Sequence, residues 1–219
     1  MVLLGYAAHC GPSLGRMTLF PVSLIQMQKS RLEAFSDGVI AIILTIMVLD
    51  LKVPKEATVE SMAVLWPTWV AYTLSYYNVL SVWLNHHDVF ASVYVINRRI
   101  LVLNGSLLFC MSLIPFATAF AGETHWAAPL SVGVYGLVMA AVSFLFVRLR
   151  LAVSDHVKEE QALAQNRFEV RLSSGLTLLF LAGSALGWFY PRLALALFMA
   201  TPVLKRLARL RSSVTSVRN

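Results

Sequence analysis

Charged residues and cysteines are scarce in this sequence, and both shortages restrict what the protein can be. Asp, Glu, Lys and Arg make up only 13% of its 219 residues, against about 25% in a typical soluble domain. The two cysteines, Cys10 and Cys110, lie far apart, with neither a CxxC metal-binding spacing nor a disulfide framework. No HExxH or Walker motif is present. The sequence therefore lacks the signatures of a zinc protease or a nucleotide-binding protein.

Apolar residues, in contrast, are abundant. They make up 58% of the chain, the mean hydropathy is +0.70, and they gather in runs near the ~20 residues that a helix needs to cross a bilayer. We predict an all-α polytopic membrane protein with six transmembrane helices, at about residues 32–51, 61–84, 98–120, 127–147, 170–189 and a short one at 192–206.

The distribution of basic residues predicts the orientation of these helices. With both termini inside, 15 of the 18 Lys and Arg residues lie inside, and only Lys52, Lys55 and Arg192 lie outside. This arrangement obeys the positive-inside rule, whereas five spans would place the basic C-terminal tail outside. The net charge of +7 thus reflects topology rather than nucleic-acid binding. We expect a protein of the cytoplasmic cell membrane, in contact with lipid, with both termini cytoplasmic and no nucleic-acid partner.

Three segments follow from this layout: residues 1–30 on the cytoplasmic side, a six-helix transmembrane domain at 31–207, and a basic cytoplasmic tail at 208–219. Two interpretations of residues 1–30 stay open. They are a disordered segment, or residues 1–26 precede the natural start, since Met27 stands just before the first span.

The first predicted span has one continuous apolar face. On a helical wheel at about 100° per residue, a stripe falls within roughly 40° of Ile42; its members are Arg31, Phe35, Gly38, Ile42, Ile46 and Leu49. Thr45 flanks the stripe, while Ser36 and Asp37 point away from it, towards neighbouring helices. From the wheel alone the stripe is either an ordinary packing face or the lining of a conduit.

Polar side chains cluster at the inner ends of the first three spans. Asp37, the pair His86 and His87, and the pair Arg98 and Arg99 are all expected at one membrane depth. Charged groups in a membrane helix are costly and therefore usually paired, so we predict a polar network that fixes the tilt of the first span. Adjacent histidines diverge by about 100° on a helix; we therefore expect at least one of them to form hydrogen bonds, and metal binding by the pair is disfavoured.

Two features of the later spans predict local geometry. Gly183 and Gly187, one helical turn apart, predict a close contact between helices. Pro115, late in the third span, predicts a kink, since proline cannot donate the helical hydrogen bond.

The segment from Arg31 to Ile42, RLEAFSDGVIAI, resembles the R-x-x-x-F-S-D signature of the transmembrane protein 175 family, the endosomal/lysosomal potassium channels and their prokaryotic relatives. The resemblance continues at Trp83-Leu-Asn-His86-His87, at Asn104 and at Pro115-Phe-Ala-Thr118, and so covers about residues 29–120.

The resemblance implies a homotetramer of six-helix subunits around a central pore lined by the first helix. Carried onto this sequence, the pore constriction is Ile42, Ile46 and Leu49, and Thr45 contributes to selectivity. The resemblance further implies that a structural network holds the pore helix against the second and third spans; its residues are Arg31, Phe35, Ser36, Asp37, Trp83, His86 and His87. The signature occurs once in the chain, so four chains are required.

We therefore expect a passive, potassium-preferring cation channel that is not an enzyme and needs no cofactor besides the permeant K⁺. The TVGYG filter of common potassium channels is absent, so selectivity must come from another device. One alternative is a proton-conducting or proton-coupled transporter that uses Asp37 and the histidines. Another is a membrane enzyme or assembly protein with no transport role.

Overall fold

The computed structural model describes residues 29–91, 93, 96–155 and 160–217, all of whose regular structure is helical. The predicted N-terminal segment therefore lies almost entirely outside the described residues. Eight α-helices are present in these ranges: α1 (Lys29–Ile46), α2 (Val59–Val64), α3 (Trp66–Ala91), α4 (Arg98–Ser112), α5 (Ile114–Glu123), α6 (Pro129–Ser154), α7 (Glu160–Gly187) and α8 (Pro191–Val217).

The helices reproduce the six predicted segments, with two of them interrupted. The second segment is the short α2 followed by α3, and the third is α4 followed by α5. The interruption in the third segment is at Leu113, and Pro115 then lies in the first turn of α5. Proline is tolerated there because the first helical N–H groups have no partner within the helix.

Several predicted ends are wrong. The sixth helix is not short, since α8 has 27 residues and continues to Val217, through most of the predicted tail. The stretch between the fourth and fifth predicted spans, 148–169, is largely helical as well, because α6 extends to Ser154 and α7 begins at Glu160. In both places the hydropathy of the sequence predicted an end where charged residues begin. A helix can nevertheless continue beyond the bilayer, because its charged side chains are then hydrated or form ion pairs.

Among the described residues, four helical segments are long and apolar enough to cross a membrane: Lys29–Asp50, Arg98–Glu123, Pro129–Ser154 and Leu163–Gly187. Helices α3 and α8 are of similar length, with 26 and 27 residues. Their composition is more polar, because α3 contains tyrosines, asparagines and histidines, and α8 contains a basic second half.

The chain direction alternates along the bundle, so two ends can be defined. At the end that we call the basic end, α1, α4 and α7 begin and α3, α6 and α8 finish. Contacts between them mark this end: Lys29 Nζ lies 3.4 Å from the carbonyl oxygen of Ala91, and Arg209 pairs with Glu169. At the opposite end Lys52 Nζ lies 2.6 Å from Glu123 Oε1.

Small residues let α6, α7 and α8 approach closely, as the Gly183 and Gly187 spacing predicted. A β-carbon added at Gly183 would collide with the ring of Phe198 on α8, and one at Gly187 would lie 2.6 Å from Val132 Cγ1 on α6. Gly175, on the same helix α7, has no atom within 4 Å of the corresponding position. The glycines of α7 are thus of two kinds, and only the pair at 183 and 187 is required by packing.

This difference gives a direct test of the packing. Gly183→Ala should destabilise the protein by about 1–3 kcal/mol, because Phe198 must leave its position. Gly175→Ala should be neutral or slightly stabilising, since alanine is the better helix former. Thermal unfolding of the two variants in detergent measures the difference, and equal melting temperatures would contradict the assigned contact.

Candidate functional site on helix α1

Helix α1 has one buried and one exposed face. The buried residues recur at helical spacing and face α3 and α4; they are Leu32, Ser36, Ile40, Ile43 and Met47. The other face carries the stripe found on the wheel, with Ile42, Ile46 and Leu49 exposed at 57%, 45% and 78%. A single subunit therefore leaves uncovered the surface on which the candidate pore residues lie.

We call Ile42, Ile46 and Leu49 the ladder; the helix tightens between its second and third members. Helix α1 ends at Ile46, and a 3-10 turn, Met47–Asp50, continues it, a common transition at helix ends. Leu49 therefore lies on a tighter spiral than the wheel assumed, although it remains on the exposed side. The sequence prediction of an uninterrupted helix to residue 51 is wrong for these last residues.

Thr45 adds a polar atom to the exposed face. Its hydroxyl shares its hydrogen between the carbonyl oxygens of Ile42 at 2.9 Å and Ala41 at 3.1 Å. The donor is thus used within α1, while the lone pairs of Oγ1 are left to face outward. A threonine held in this way presents an oxygen acceptor between the apolar side chains of the ladder.

The buried face of α1 is tied to its neighbours by a chain of hydrogen bonds. Ser36 Oγ donates to the carbonyl oxygen of Leu32 at 2.8 Å and accepts from Asn104 Nδ2 of α4 at 2.9 Å. Asn104 Oδ1 then faces His86 Nε2 of α3 at 2.7 Å. With the amide oriented in this way, the proton of His86 lies on Nε2, which donates to Asn104. We call this chain, Ser36–Asn104–His86, the polar bridge.

A second link joins α1 to α3 on its other side. Trp83 Nε1 donates to Asp37 Oδ1 at 2.9 Å. A hydrogen bond to an ionised carboxylate is roughly twice as strong as one between neutral groups. Since Ser36 and Asp37 are adjacent but point about 100° apart, the two links together restrict rotation of α1 about its axis.

The structure brings only part of the predicted network together. Ser36, Asp37, Trp83 and His86 take part in the two links. Arg31, Phe35 and His87 are exposed, and their side chains form no hydrogen bond or ion pair with another described residue. Of the two histidines, His86 is the one that joins the chain, with 1% exposure.

Sequence reasoning missed the central member of the polar bridge. Asn104 was recognised only as a point of family resemblance, although it connects Ser36 to His86 and is 1% exposed. An amide within an otherwise apolar span was the available clue, because a buried polar group in a membrane needs a partner. A second hydroxyl cluster was missed as well: Ser75 Oγ lies 2.7 Å from Thr118 Oγ1 and 3.1 Å from Tyr135 Oη.

Comparison with known proteins relates this geometry to a family. A family model described as the endosomal/lysosomal potassium channel TMEM175 matches residues 31–115. A potassium channel of Chryseobacterium sp. (strain P1-3) is 37% identical over 175 residues, which cover 78% of this chain and 89% of that one. The chain belongs to the TMEM175 family.

Two further TMEM175 proteins resemble this chain over different shares of their length. The crystal structure of a lysosomal potassium-selective channel TMEM175 homolog from Chamaesiphon minutus superimposes with a TM-score of 0.72 at 29% identity, covering 84% of this chain and 99% of that one. The human endosomal/lysosomal proton channel TMEM175 is 33% identical over 132 residues, which are 52% of this chain but only 26% of the human protein.

The region matched by the TMEM175 family model, residues 31–115, contains both links to α1. It includes Ser36 and Asp37 on α1, Trp83 and His86 on α3, and Asn104 on α4. The resemblance seen in the sequence is therefore confirmed, and the protein is a membrane protein of a channel family. In this chain these five side chains form hydrogen bonds that join α1, α3 and α4.

The polar bridge can be tested with two matched serines. Ser36→Ala should destabilise the protein by about 1–3 kcal/mol, because Asn104 Nδ2 then loses a buried acceptor. Ser112→Ala is the control, since Ser112 Oγ likewise donates to a carbonyl oxygen of its own helix but is exposed; its effect should be within about 0.5 kcal/mol. Thermal unfolding compares them, and an equal loss from both would rule out the bridge as a stabilising unit.

Proposed function

We propose that the protein is a passive, potassium-preferring cation channel of the cell membrane, in which four copies of α1 surround a central pore. The observation that carries the proposal is the exposed ladder of Ile42, Ile46 and Leu49 on a helix whose opposite face is buried and hydrogen-bonded. The names of the bacterial relatives and of the superimposed crystal structure support potassium as the permeant ion. Channel activity rather than catalysis follows from the same family membership.

Conduction between subunits agrees with the packing inside one subunit. The centre of the bundle is filled with side chains, among them Ile40, Leu107 and Met111, which are all fully buried. An ion path through this interior would have to displace a close-packed core. The face of α1 that remains uncovered is therefore the better candidate for the wall of an aqueous pore, and closing such a pore requires further copies of the chain.

The ladder would form successive rings in a tetramer. Ile42 and Ile46 are about 6 Å apart along the helix at 1.5 Å per residue, so their rings lie one above the other. An apolar ring of this kind can gate by dewetting when it is narrow. Thr45 would place four hydroxyl oxygens beside these rings, where they are suited to interact with a partly dehydrated cation.

Arg31 is on the same face but far from the ladder. Eleven residues separate it from Ile42, which corresponds to about 16 Å along the helix. At this distance it lies at the basic end, where a wide vestibule would keep its charge hydrated. We propose that this end is cytoplasmic with both termini, in agreement with the bias of Lys and Arg towards it.

The pore assignment predicts different effects for two neighbouring isoleucines. Ile42→Ala should widen the constriction and raise single-channel conductance by at least about twofold, because a dewetted apolar ring sets the barrier. Ile40→Ala removes the same atoms from the buried face, and should reduce stability by about 2–5 kcal/mol while leaving conductance per channel unchanged. Single-channel recording in planar bilayers compares them, and an unchanged conductance in Ile42→Ala would remove the ladder from the pore.

Ion preference is tested by the reversal potential of the purified protein in a planar bilayer, with potassium on one side and sodium on the other. A value near the potassium limit is expected. A robust current that reverses near zero would reject potassium preference, and the absence of current from protein shown by native mass spectrometry to be tetrameric would reject passive conduction.

Proton conduction is the second candidate, favoured by the name of the human relative. Because His86 donates to Asn104 and is buried within the polar bridge, a proton path through it would need this bridge to open. A pH gradient imposed with equal potassium on both sides separates the candidates. A reversal potential that follows the pH gradient would favour proton conduction over the potassium channel.

A further inference from the structure

A cluster of charged side chains lies inside the bundle near the basic end, away from the ladder of α1. It joins α8 to α3 and α7. Lys205 Nζ lies 3.1 Å from Asn78 Oδ1. Arg209 contacts both carboxylate oxygens of Glu169, at 3.1 and 3.2 Å, and donates to Asn85 Oδ1 at 2.6 Å. We call these five residues the inner charge cluster.

The depth of Lys205 makes its charge unusual. It lies fourteen residues beyond Pro191, where α8 begins, or about 21 Å along the helix at 1.5 Å per residue. This is within the ~30 Å hydrocarbon thickness of a bilayer, and the residue is only 8% exposed. Ionisable side chains inside a membrane are rare. Where they occur, they face the protein interior or a cavity, are paired with another group, and mark functional sites.

Within the described ranges, Lys205 has no carboxylate at ion-pair distance. Glu169 is the nearest acidic residue of the cluster, but both of its oxygens are bound to Arg209. The partner of Lys205 is the neutral amide oxygen of Asn78, whose own NH₂ group donates to the carbonyl oxygen of Leu74. A buried ammonium group with one neutral partner retains two N–H donors and an unbalanced charge.

These donors adjoin a cavity of about 40 Å³. Its polar end is formed by the inner charge cluster, and its walls are mostly apolar side chains of α6 and α7, such as Met139, Phe146 and Phe180. A single water needs about 10–15 Å³ measured in this way. The space therefore fits one small ion, such as a halide, or a single carboxylate group, and it is too small for a phospholipid headgroup.

A third cation reinforces the positive potential. Arg150 of α6 is 4% exposed, and its guanidinium carbon lies 5.0 Å from the ring centre of Phe146, which lines the cavity. Of the residues that line the cavity itself, Lys205 and Arg209 are cationic and Glu169 is the one carboxylate, which leaves one positive charge at the cavity.

We propose that this cavity binds one small monovalent anion, which Lys205 holds directly and whose charge balances the cluster. The two retained donors of Lys205 supply the hydrogen bonds, and the apolar walls exclude water and strengthen the attraction. The site is separate from the α1 ladder. Because α3 carries Asn78 and Asn85 towards the cavity and Trp83 and His86 towards α1, the bound anion fixes the helix to which the pore helix is attached.

Anomalous diffraction tests the site directly. Crystals of the full chain grown in bromide should show an anomalous peak within hydrogen-bonding distance of Lys205 Nζ. Well-defined bromide peaks elsewhere with none at Lys205 would overturn the proposal. This measurement uses the unaltered protein, so it holds even if variants of the cluster fail to fold.

Thermal unfolding tests the site in solution and allows two matched variants to be compared. Gluconate, too large for the cavity, is replaced stepwise by bromide or formate at constant ionic strength. The melting temperature should rise and saturate, as expected for a ligand of the native state. Lys205→Met should lower the apparent anion affinity at least about tenfold. Arg206→Met, which removes an exposed charge from the adjacent position of α8, should leave it unchanged.

The comparison separates binding from general salt effects, because these act on both variants alike. An equal rise in Lys205→Met and Arg206→Met would overturn the proposal. Saturation by bromide alone would identify a halide site, and saturation by formate with loss of the bromide peak would identify a carboxylate site. Both of these outcomes support a monovalent anion held by Lys205.

Discussion

The orientation of α1 depends on a few hydrogen bonds to its neighbours, and the rest of the proposed mechanism depends on that orientation. An apolar helix in an apolar solvent has little preference for one rotation about its axis, because lipid and protein interior are equally favourable to its side chains. The polar bridge and the Asp37–Trp83 link supply this preference. Breaking the polar bridge would leave buried polar groups without partners, and the exposed Asp37–Trp83 link adds a second restraint. Both hold α1 with Ile42 and Ile46 facing away from the subunit.

Helix α1 thus has apolar side chains on its exposed face and hydrogen-bonding groups on its buried face. The side chains that would contact ions are mostly apolar, while the polar bridge is buried between α1, α3 and α4. This division separates two requirements, since the network secures the position of the pore helix and the ladder is free to set pore width. The inner charge cluster repeats the pattern on the far side of α3, where polar groups join α8 to the same helix and to α7.

Local patterns predicted much of the fold, and tertiary contacts decided the rest. Helical periodicity was sufficient to separate the exposed stripe of α1 from Ser36, and the spacing of Gly183 and Gly187 was sufficient to predict close packing. Periodicity did not identify Trp83 as the partner of Asp37, or Asn104 as the connection to His86, because partners on other helices depend on their relative height and rotation. For the same reason, Lys205 and Arg209 were interpreted only as cytoplasmic charges that orient the helices. Counting Lys and Arg on each side of the membrane does not show which of them face the protein interior.

The most direct test of the central claim is cysteine accessibility along α1, in a background with Cys10 and Cys110 replaced by serine. Single cysteines at 42, 46 and 49 and at 40, 43 and 47 are exposed to a small cationic thiol reagent while potassium current is recorded. The account predicts that modification at 42, 46 and 49 blocks the current, and that the buried set is unaffected. Block at 40, 43 and 47 with none at 42, 46 and 49 would place the pore on the other face and contradict it.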